Sequence, residues 1–108
     1  MEKIREEISK LIEDNLLVIV EGKKDKISLN KLGITNIITL NKPIYETVEL
    51  INDNKIVILT DLDSEGRKLY NVLRHELQRK GVKINNKLRL LLFKTRLSHI
   101  EGLHSYLE

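Results

Sequence analysis

Short aliphatic runs alternate along the chain with segments in which apolar residues recur every three or four positions. Residues 16–20 and 56–59 consist only of Ile, Leu and Val, as expected of strands buried on both faces of a parallel sheet. A third strand is predicted over residues 34–40 and a short edge strand over residues 82–84. This alternation predicts an α/β protein with an open parallel sheet of about four strands and helices on both faces.

The segments between the strands have the periodicity of amphipathic helices. Helices are predicted over residues 3–14, 24–32 and 64–80, and a further helix begins at the turn that contains Pro43. Gly81 follows the longest of them, in the position where glycine commonly ends a helix. The residues of that helix predicted to point inward are Leu69, Val72, Leu73 and Leu77. The helices after residue 20 each connect two strands, as the crossovers of a parallel sheet do.

The segment after residue 86 has a mixed pattern. Residues 88–93 are apolar enough for a strand, but the spacing of the later apolar residues favours two short helices broken near Thr95 or Ser98. At 108 residues the whole chain is long enough for one hydrophobic core and too short for two, so a single domain is expected. Its parts are an N-terminal helix at residues 1–14, a core of βα units at residues 15–86 and a helical tail at residues 87–108.

The composition narrows the class of protein. Hydrophobic residues make up 41% of the chain and charged residues 32%, as in ordinary globular proteins. There is no cysteine, which excludes a disulfide framework and a thiolate zinc site. No apolar run approaches the ~20 residues that span a membrane, and the first residues are charged, unlike those of a signal peptide. A cytoplasmic protein without membrane association is expected.

Positive charge is concentrated in the second half of the chain. The net charge is only +3, but residues 77–100 contain seven basic residues and no carboxylate. The basic residues are Arg79, Lys80, Lys83, Lys87, Arg89, Lys94 and Arg96. A basic stretch such as 79–96 is typical of proteins that bind RNA or DNA, although a charge run is more often simply a solvated surface.

Carboxylates follow two of the predicted strands. Asp61 and Asp63 come directly after the central strand, and Glu21 follows the strand at 16–20. The carboxyl ends of parallel strands share one edge of the sheet, so adjacent strands would place these acids face to face. Carboxylate oxygens are the preferred ligands of hard cations, which predicts a site for one or two Mg²⁺ ions, with Mn²⁺ as a substitute. The alternative is a polar turn in which Asp63 or Ser64 caps the next helix.

Basic residues flank both acidic positions. Lys23 and Lys24 follow Glu21, and Arg67 and Lys68 lie in the first turn of the long helix. Because a helix N-terminus attracts anions, these side chains are candidates for binding phosphate groups. Ordinary surface solvation is the competing explanation for each of them.

Two segments of the chain resemble the signature motifs of the Toprim domain. They are residues 20–25, with the sequence Val-Glu-Gly-Lys-Lys-Asp, and residues 60–66, with the sequence Thr-Asp-Leu-Asp-Ser-Glu-Gly. That domain is shared by type IA and type II topoisomerases, bacterial primases, recombination-repair proteins and the nuclease that matures 5S ribosomal RNA. The resemblance covers residues 15–86 and is strongest to small stand-alone Toprim proteins found mainly in archaea. It implies the Toprim version of a Rossmann-like sheet.

The resemblance also implies roles for the residues that match the motifs. Glu21 corresponds to a glutamate that acts as metal ligand and as general acid or base. Asp61 and Asp63 correspond to the aspartates that bind Mg²⁺, so all three are candidate catalytic and metal-binding residues. Asp25 is expected to organise the turn and the start of its helix.

The activity that the resemblance implies is Mg²⁺-dependent chemistry on RNA or DNA phosphodiesters, as in a nuclease or a nucleic-acid-processing enzyme. A topoisomerase needs a tyrosine nucleophile from a separate domain and a primase needs a zinc module, and this sequence contains neither. Tyr45, Tyr70 and Tyr106 fall in predicted helices, where packing is the simpler role. The alternative function is a non-catalytic module that binds nucleic acid or a ribonucleoprotein through the same acidic site. A homodimer or a larger protein partner would extend so small a binding surface.

Other candidate chemistries fit the sequence less well. The haloacid-dehalogenase phosphatases also have an Asp-x-Asp after an aliphatic strand, but theirs ends the first strand and is followed closely by Thr or Val. A receiver domain would have an acidic pair at the position of Glu21. His75 is expected to be a surface or partly packed residue of the long helix. His99 and His104 are not expected to be metal ligands, since they are five positions apart, a poor spacing for joint ligation from one helix face.

Overall fold

The computed structural model describes residues 1–108, which form one four-stranded sheet covered by helices. The strands are β1 (Leu17–Val20), β2 (Ile37–Thr39), β3 (Lys55–Ile58) and β4 (Lys83–Ile84). Their spatial order is β2-β1-β3-β4, and every neighbouring pair is parallel. The predicted α/β class and the short edge strand are thereby confirmed.

Six helices and one 3₁₀ turn complete the chain. The helices are α1 (Glu2–Glu13), α2 (Lys23–Lys31), α3 (Ile44–Leu50), α4 (Ser64–Arg79), α5 (Lys87–Leu92) and α6 (Leu103–Leu107), and the 3₁₀ turn covers Ile100–Gly102. None of the helices combines the length and the apolar character that a membrane crossing requires.

The sheet has a hydrophobic core on each face, because successive strand side chains point to opposite sides. On β1, Val18 and Val20 belong to the larger core, which α1, α2, α5 and α6 cover. Leu17 and Ile19 belong to the smaller core, which α3 and α4 cover. Both faces of β1 are thus dry, which accounts for its uninterrupted aliphatic sequence.

The pairing of β1 with β3 sets the position of the acidic residues. Ile19 is in register with Ile58, and the Leu59 amide donates to the Ile19 carbonyl over 2.8 Å. The chain leaves β1 toward β2 on one side, whereas β3 lies on the other side. The boundary between β1 and β3 is therefore the point where the strand order reverses, the place where open α/β sheets bind ligands.

Several details differ from the sequence-based prediction. β2 begins at Ile37 rather than at residue 34, because Ile34 closes α2 instead: its amide donates to the Leu29 carbonyl over 3.0 Å. Val72 was expected to point inward but is 47% exposed, since α4 packs on the sheet through the neighbouring stripe of Leu73 and Leu77. The tail does form two short helices, α5 and α6, and the residues between them are 93–102, of which the last three form the 3₁₀ turn.

The three tyrosines, all expected to have packing roles, differ in their exposure and contacts. Tyr45 is 66% exposed, so packing was the wrong prediction there. Tyr106 is 38% exposed. Tyr70 packs against the smaller core and lies under the guanidinium of Arg89, so the packing prediction is confirmed for this residue.

Candidate metal centre

The loop after β3 is tied to the start of α4 by short-range hydrogen bonds. Asp63 is the residue that caps α4, because its Oδ1 accepts from the Gly66 amide over 2.8 Å. The buried Thr60 hydroxyl donates to the Gly66 carbonyl over 2.7 Å. The capping alternative for Asp63 thus holds for one carboxylate oxygen and leaves the other for the site.

The two motif glycines have different structural roles. A Cβ on Gly66 would lie 1.9 Å from the Asp61 carbonyl oxygen, so no larger residue fits without moving the loop. A Cβ on Gly22 would have its nearest neighbour at 3.9 Å, on the Asp25 carboxylate. Gly22 also has an extended backbone, with φ of −147°, that any residue can adopt. Of these two positions, only that of Gly66 requires a glycine for steric reasons.

Glu21 and Asp61 meet across the boundary between β1 and β3. Oε2 of Glu21 accepts from the Asp61 amide over 2.8 Å. Both side chains are half-buried. The structure therefore brings the two motifs together at the carboxyl edge of the sheet, and the contact runs through the backbone of Asp61.

The segment at residues 98–100 docks onto this acidic loop. The Leu62 amide donates to the Ser98 carbonyl over 2.8 Å. The Ile100 amide donates to Oδ1 of Asp61 over 2.9 Å. These two bonds flank His99, and Nε2 of that residue lies 3.5 Å from Oδ2 of Asp63.

Three side chains form a cluster that fits a divalent cation. One ligand atom from each of Asp61, Asp63 and His99 lies within 4.8 Å of the other two. Ligands on opposite sides of a Mg²⁺ ion are about 4.2 Å apart, so small side-chain rotations would bring the three atoms to one ion. Oδ1 of each aspartate accepts a hydrogen bond from a backbone amide, and the second oxygen is left to bind a cation. Glu21 lies at the same edge but outside this cluster.

His99 is the site residue that sequence reasoning missed. It was set aside because its spacing from His104 does not suit one helix face, whereas the structure pairs it with Asp63 from a non-helical segment. The available signal was the polar Ser98-His99 pair between two apolar stretches of the tail. His104 lies elsewhere, with Nδ1 3.5 Å from the Glu108 carboxylate.

Arg89 is buried beneath the acidic loop and is not part of a basic surface, contrary to the prediction. It is 3% exposed, and its Nη1 and Nη2 donate to the carbonyls of Thr60 over 2.6 Å and Asp61 over 3.0 Å. Its guanidinium carbon lies 4.5 Å from the Tyr70 ring centre and 5.2 Å from that of Phe93. A single charge inside the apolar stretch 88–93 was the sequence signal for this role.

Burial lowers the pKa of the Arg89 guanidinium, and the nearby Tyr70, Glu21 and Asp61 act in the opposite direction. Arginine nevertheless keeps its charge in proteins, because its pKa starts so high. The acidic loop therefore rests on a fixed cation, and the hydrogen bonds of that cation hold the carbonyls at the end of β3.

Lys80, an exposed residue of the basic stretch, uses its charge within the chain. Its ammonium group donates to the carbonyls of Val48 over 2.8 Å and Glu49 over 3.2 Å, and to that of Ile51. These carbonyls lie at the C-terminal end of α3, so the side chain caps that helix.

Asp25 organises the start of α2, as expected. Its Oδ2 accepts from the Gly22 amide over 3.0 Å, and the residue is 7% exposed. Burial raises the pKa of its carboxyl group; the bond from Gly22 lowers it, and the charges of Asp61 and Glu21 raise it further. Negative charge is thus concentrated around the carboxyl edge of the sheet.

The four basic residues predicted to bind phosphate are all exposed around this edge. Lys23 lines a groove of about 570 Å³ that begins at Glu21. Arg67 stacks over the Phe93 ring at 5.0 Å. Lys68 lies 3.7 Å from the Glu65 carboxylate, an exposed pair of little energetic weight. Lys24 faces a second depression, which Glu101 and His104 also line.

We expect Gly66→Ala to destabilise the chain by about 1–3 kcal/mol or more, because the new methyl group overlaps the Asp61 carbonyl. Urea unfolding followed by circular dichroism measures the change. Gly22→Ala is the matched control and should cost less than about 1 kcal/mol. Equal losses in the two variants would show that the close approach at Gly66 does not constrain the loop.

Replacing Arg89 by Met should lower the free energy of unfolding by about 2–4 kcal/mol, since the carbonyls of Thr60 and Asp61 lose a charged donor. Arg96→Met, at an exposed position of the tail, should change it by less than about 0.5 kcal/mol. The same unfolding experiment compares the two variants. A loss at Arg89 no larger than that at Arg96 would contradict the supporting role of the buried guanidinium.

Comparison of the sequence with those of known proteins identifies the family of the chain. Residues 15–86 match the family model of the Toprim domain. A UPF0292 protein of Methanocaldococcus jannaschii is 39% identical over 97 residues, covering 82% of this chain and 76% of that protein. A UPF0292 protein of Methanosarcina barkeri is 37% identical over 117 residues, covering 98% of this chain and 81% of that protein.

A solved structure shows the same fold. A protein from Aquifex aeolicus superposes with a TM-score of 0.84 at 28% sequence identity, covering 94% of this chain and 96% of that one. The predicted likeness to small stand-alone archaeal Toprim proteins and the α/β fold are both confirmed. The acidic loop that fits a divalent metal lies within the matched segment, and the chain belongs to the Toprim domain family.

Proposed function

We propose that the protein hydrolyses phosphodiester bonds of RNA or DNA with the help of a divalent cation, Mg²⁺ or, in its place, Mn²⁺. The observation that carries this proposal is the meeting of Glu21 with the Asp61 loop at the carboxyl edge of the sheet. The family adds support, since Toprim domains are associated with nucleic-acid chemistry and divalent metals.

Asp61 and Asp63 would hold the cation with the oxygens that the backbone amides leave unused. A bound divalent ion supplies charge stabilisation at phosphorus and lowers the pKa of an attacking water. The aspartates are held for this role before any ligand arrives, because the Gly66 and Ile100 amides fix one oxygen of each. Such prior positioning is what a catalytic site requires.

Glu21 is placed to move a proton. Its Oε2 is occupied by the Asp61 amide, which leaves Oε1 as the oxygen able to accept a proton from water or return one to a leaving oxygen. The groove that starts at Glu21 is lined by Lys23, Lys26 and Asn41, side chains suited to a phosphate backbone. We assign this groove as the binding site of the substrate strand.

The other exposed cations extend this surface around the site. Lys24, Arg67 and Lys68 would neutralise neighbouring phosphates and contribute affinity without reading sequence. A homodimer, or a larger protein partner, would enlarge the surface further and stays a prediction, as does the cytoplasmic location.

We expect the protein to cleave at least one of three labelled substrates, namely structured RNA, single-stranded DNA and double-stranded DNA, when Mg²⁺ or Mn²⁺ is present. Glu21→Gln and Asp61→Asn should each reduce the cleavage rate by about 100-fold or more, because each removes a charge that the chemistry uses. Product formation on denaturing gels measures the rate.

His75→Ala is the matched control for this assay, since that histidine lies on the exposed side of α4 and should leave the rate unchanged. Cleavage that survives both acidic substitutions would contradict the proposal. Binding of a nucleic acid without cleavage, equal in the wild type and both variants, would instead identify a recognition module.

A further inference from the structure

His99 occupies a fixed position although its side chain is 54% exposed. The residue before it is bonded to the Leu62 amide, and the residue after it donates to the Asp61 carboxylate. Ile100 is fully buried in the larger core, so the segment cannot shift without unpacking it. The ring therefore lies beside the acidic loop as a consequence of the fold.

The hydrogen bond of the other ring nitrogen favours a ligand role. Nδ1 of His99 lies 2.8 Å from the Ser98 hydroxyl oxygen, which can accept the Nδ1 hydrogen. That arrangement leaves the lone pair on Nε2, the nitrogen that faces Asp63. Histidines that bind metals commonly use one nitrogen in this way and have the other held by a hydrogen bond.

We propose that His99 makes this a site of two carboxylates and one imidazole, which selects a divalent transition-metal ion over Mg²⁺. The inference rests on the metal site of the proposed function and adds the class of ion that it takes. Mg²⁺ prefers oxygen ligands, whereas Mn²⁺ and the later first-row ions also accept imidazole nitrogen. A nitrogen among the three ligand atoms therefore favours the transition metal.

The competing explanation is an ion pair in which a protonated His99 neutralises Asp63 and no metal uses the nitrogen. In that case a shorter side chain would affect the two ions alike, since only the local charge would change. The difference between Mn²⁺ and Mg²⁺ affinity, and its dependence on His99, separates the two explanations.

Direct titration of the metal-free chain tests the proposal without any assay of activity. The free-Mn²⁺ signal in electron paramagnetic resonance gives the Mn²⁺ affinity, and displacement of Mn²⁺ by Mg²⁺ gives that of Mg²⁺. In His99→Ala we expect Mn²⁺ affinity to fall by about tenfold or more and Mg²⁺ affinity by less than about threefold. His104→Ala, the other histidine of the tail, is the matched control and should leave both unchanged.

An equal effect of His99→Ala on the two ions, or none on either, would overturn the proposal. The exposed ring makes a folding defect easy to exclude, and thermal melting of the variant provides that check. Failure of the wild-type chain to bind either ion would overturn both this inference and the metal-dependent function. Selective Mn²⁺ binding without cleavage of any nucleic acid would support the inference and overturn the nuclease proposal alone.

Discussion

The parallel pairing of β1 with β3 is the constraint on which the site depends. It places Glu21 and Asp61, forty residues apart in the sequence, at one edge of the sheet and within hydrogen-bonding distance. The strand order reverses at the same boundary, so the edge is open to a ligand and is not covered by a crossover. The dry core on both faces of these strands fixes their register, and with it the separation of the two motifs.

Around this pairing, the fold concentrates carboxylates, and hydrogen-bond donors inside the fold compensate their charge. Backbone amides hold one oxygen of each aspartate, and the buried Arg89 holds the carbonyls of Thr60 and Asp61. Stacking between Arg89 and the rings of Tyr70 and Phe93 offsets part of the cost of burying a cation. The tail of the chain, through α5 and the segment at 98–100, is thus part of the site although it lies outside the matched family segment.

The sequence predicted those features that depend on neighbours along the chain. Two uninterrupted aliphatic runs, each followed by an acid and a glycine, were enough to locate the sheet, its carboxyl edge and the three acidic candidates. Arg89 and His99 were misjudged because their roles depend on where the tail packs, which is a matter of tertiary contacts. A basic run identified from composition alone does not distinguish a side chain that caps a helix, such as that of Lys80, from one that contacts only solvent.

The most direct test of this account is a crystal structure of the chain soaked with Mn²⁺, with the ion located by its anomalous scattering. The account predicts a peak in contact with the carboxylates of Asp61 and Asp63 and with Nε2 of His99. No peak there, with the soaked ion found only at other carboxylates of the surface, would contradict the claim that this edge of the sheet is a metal centre.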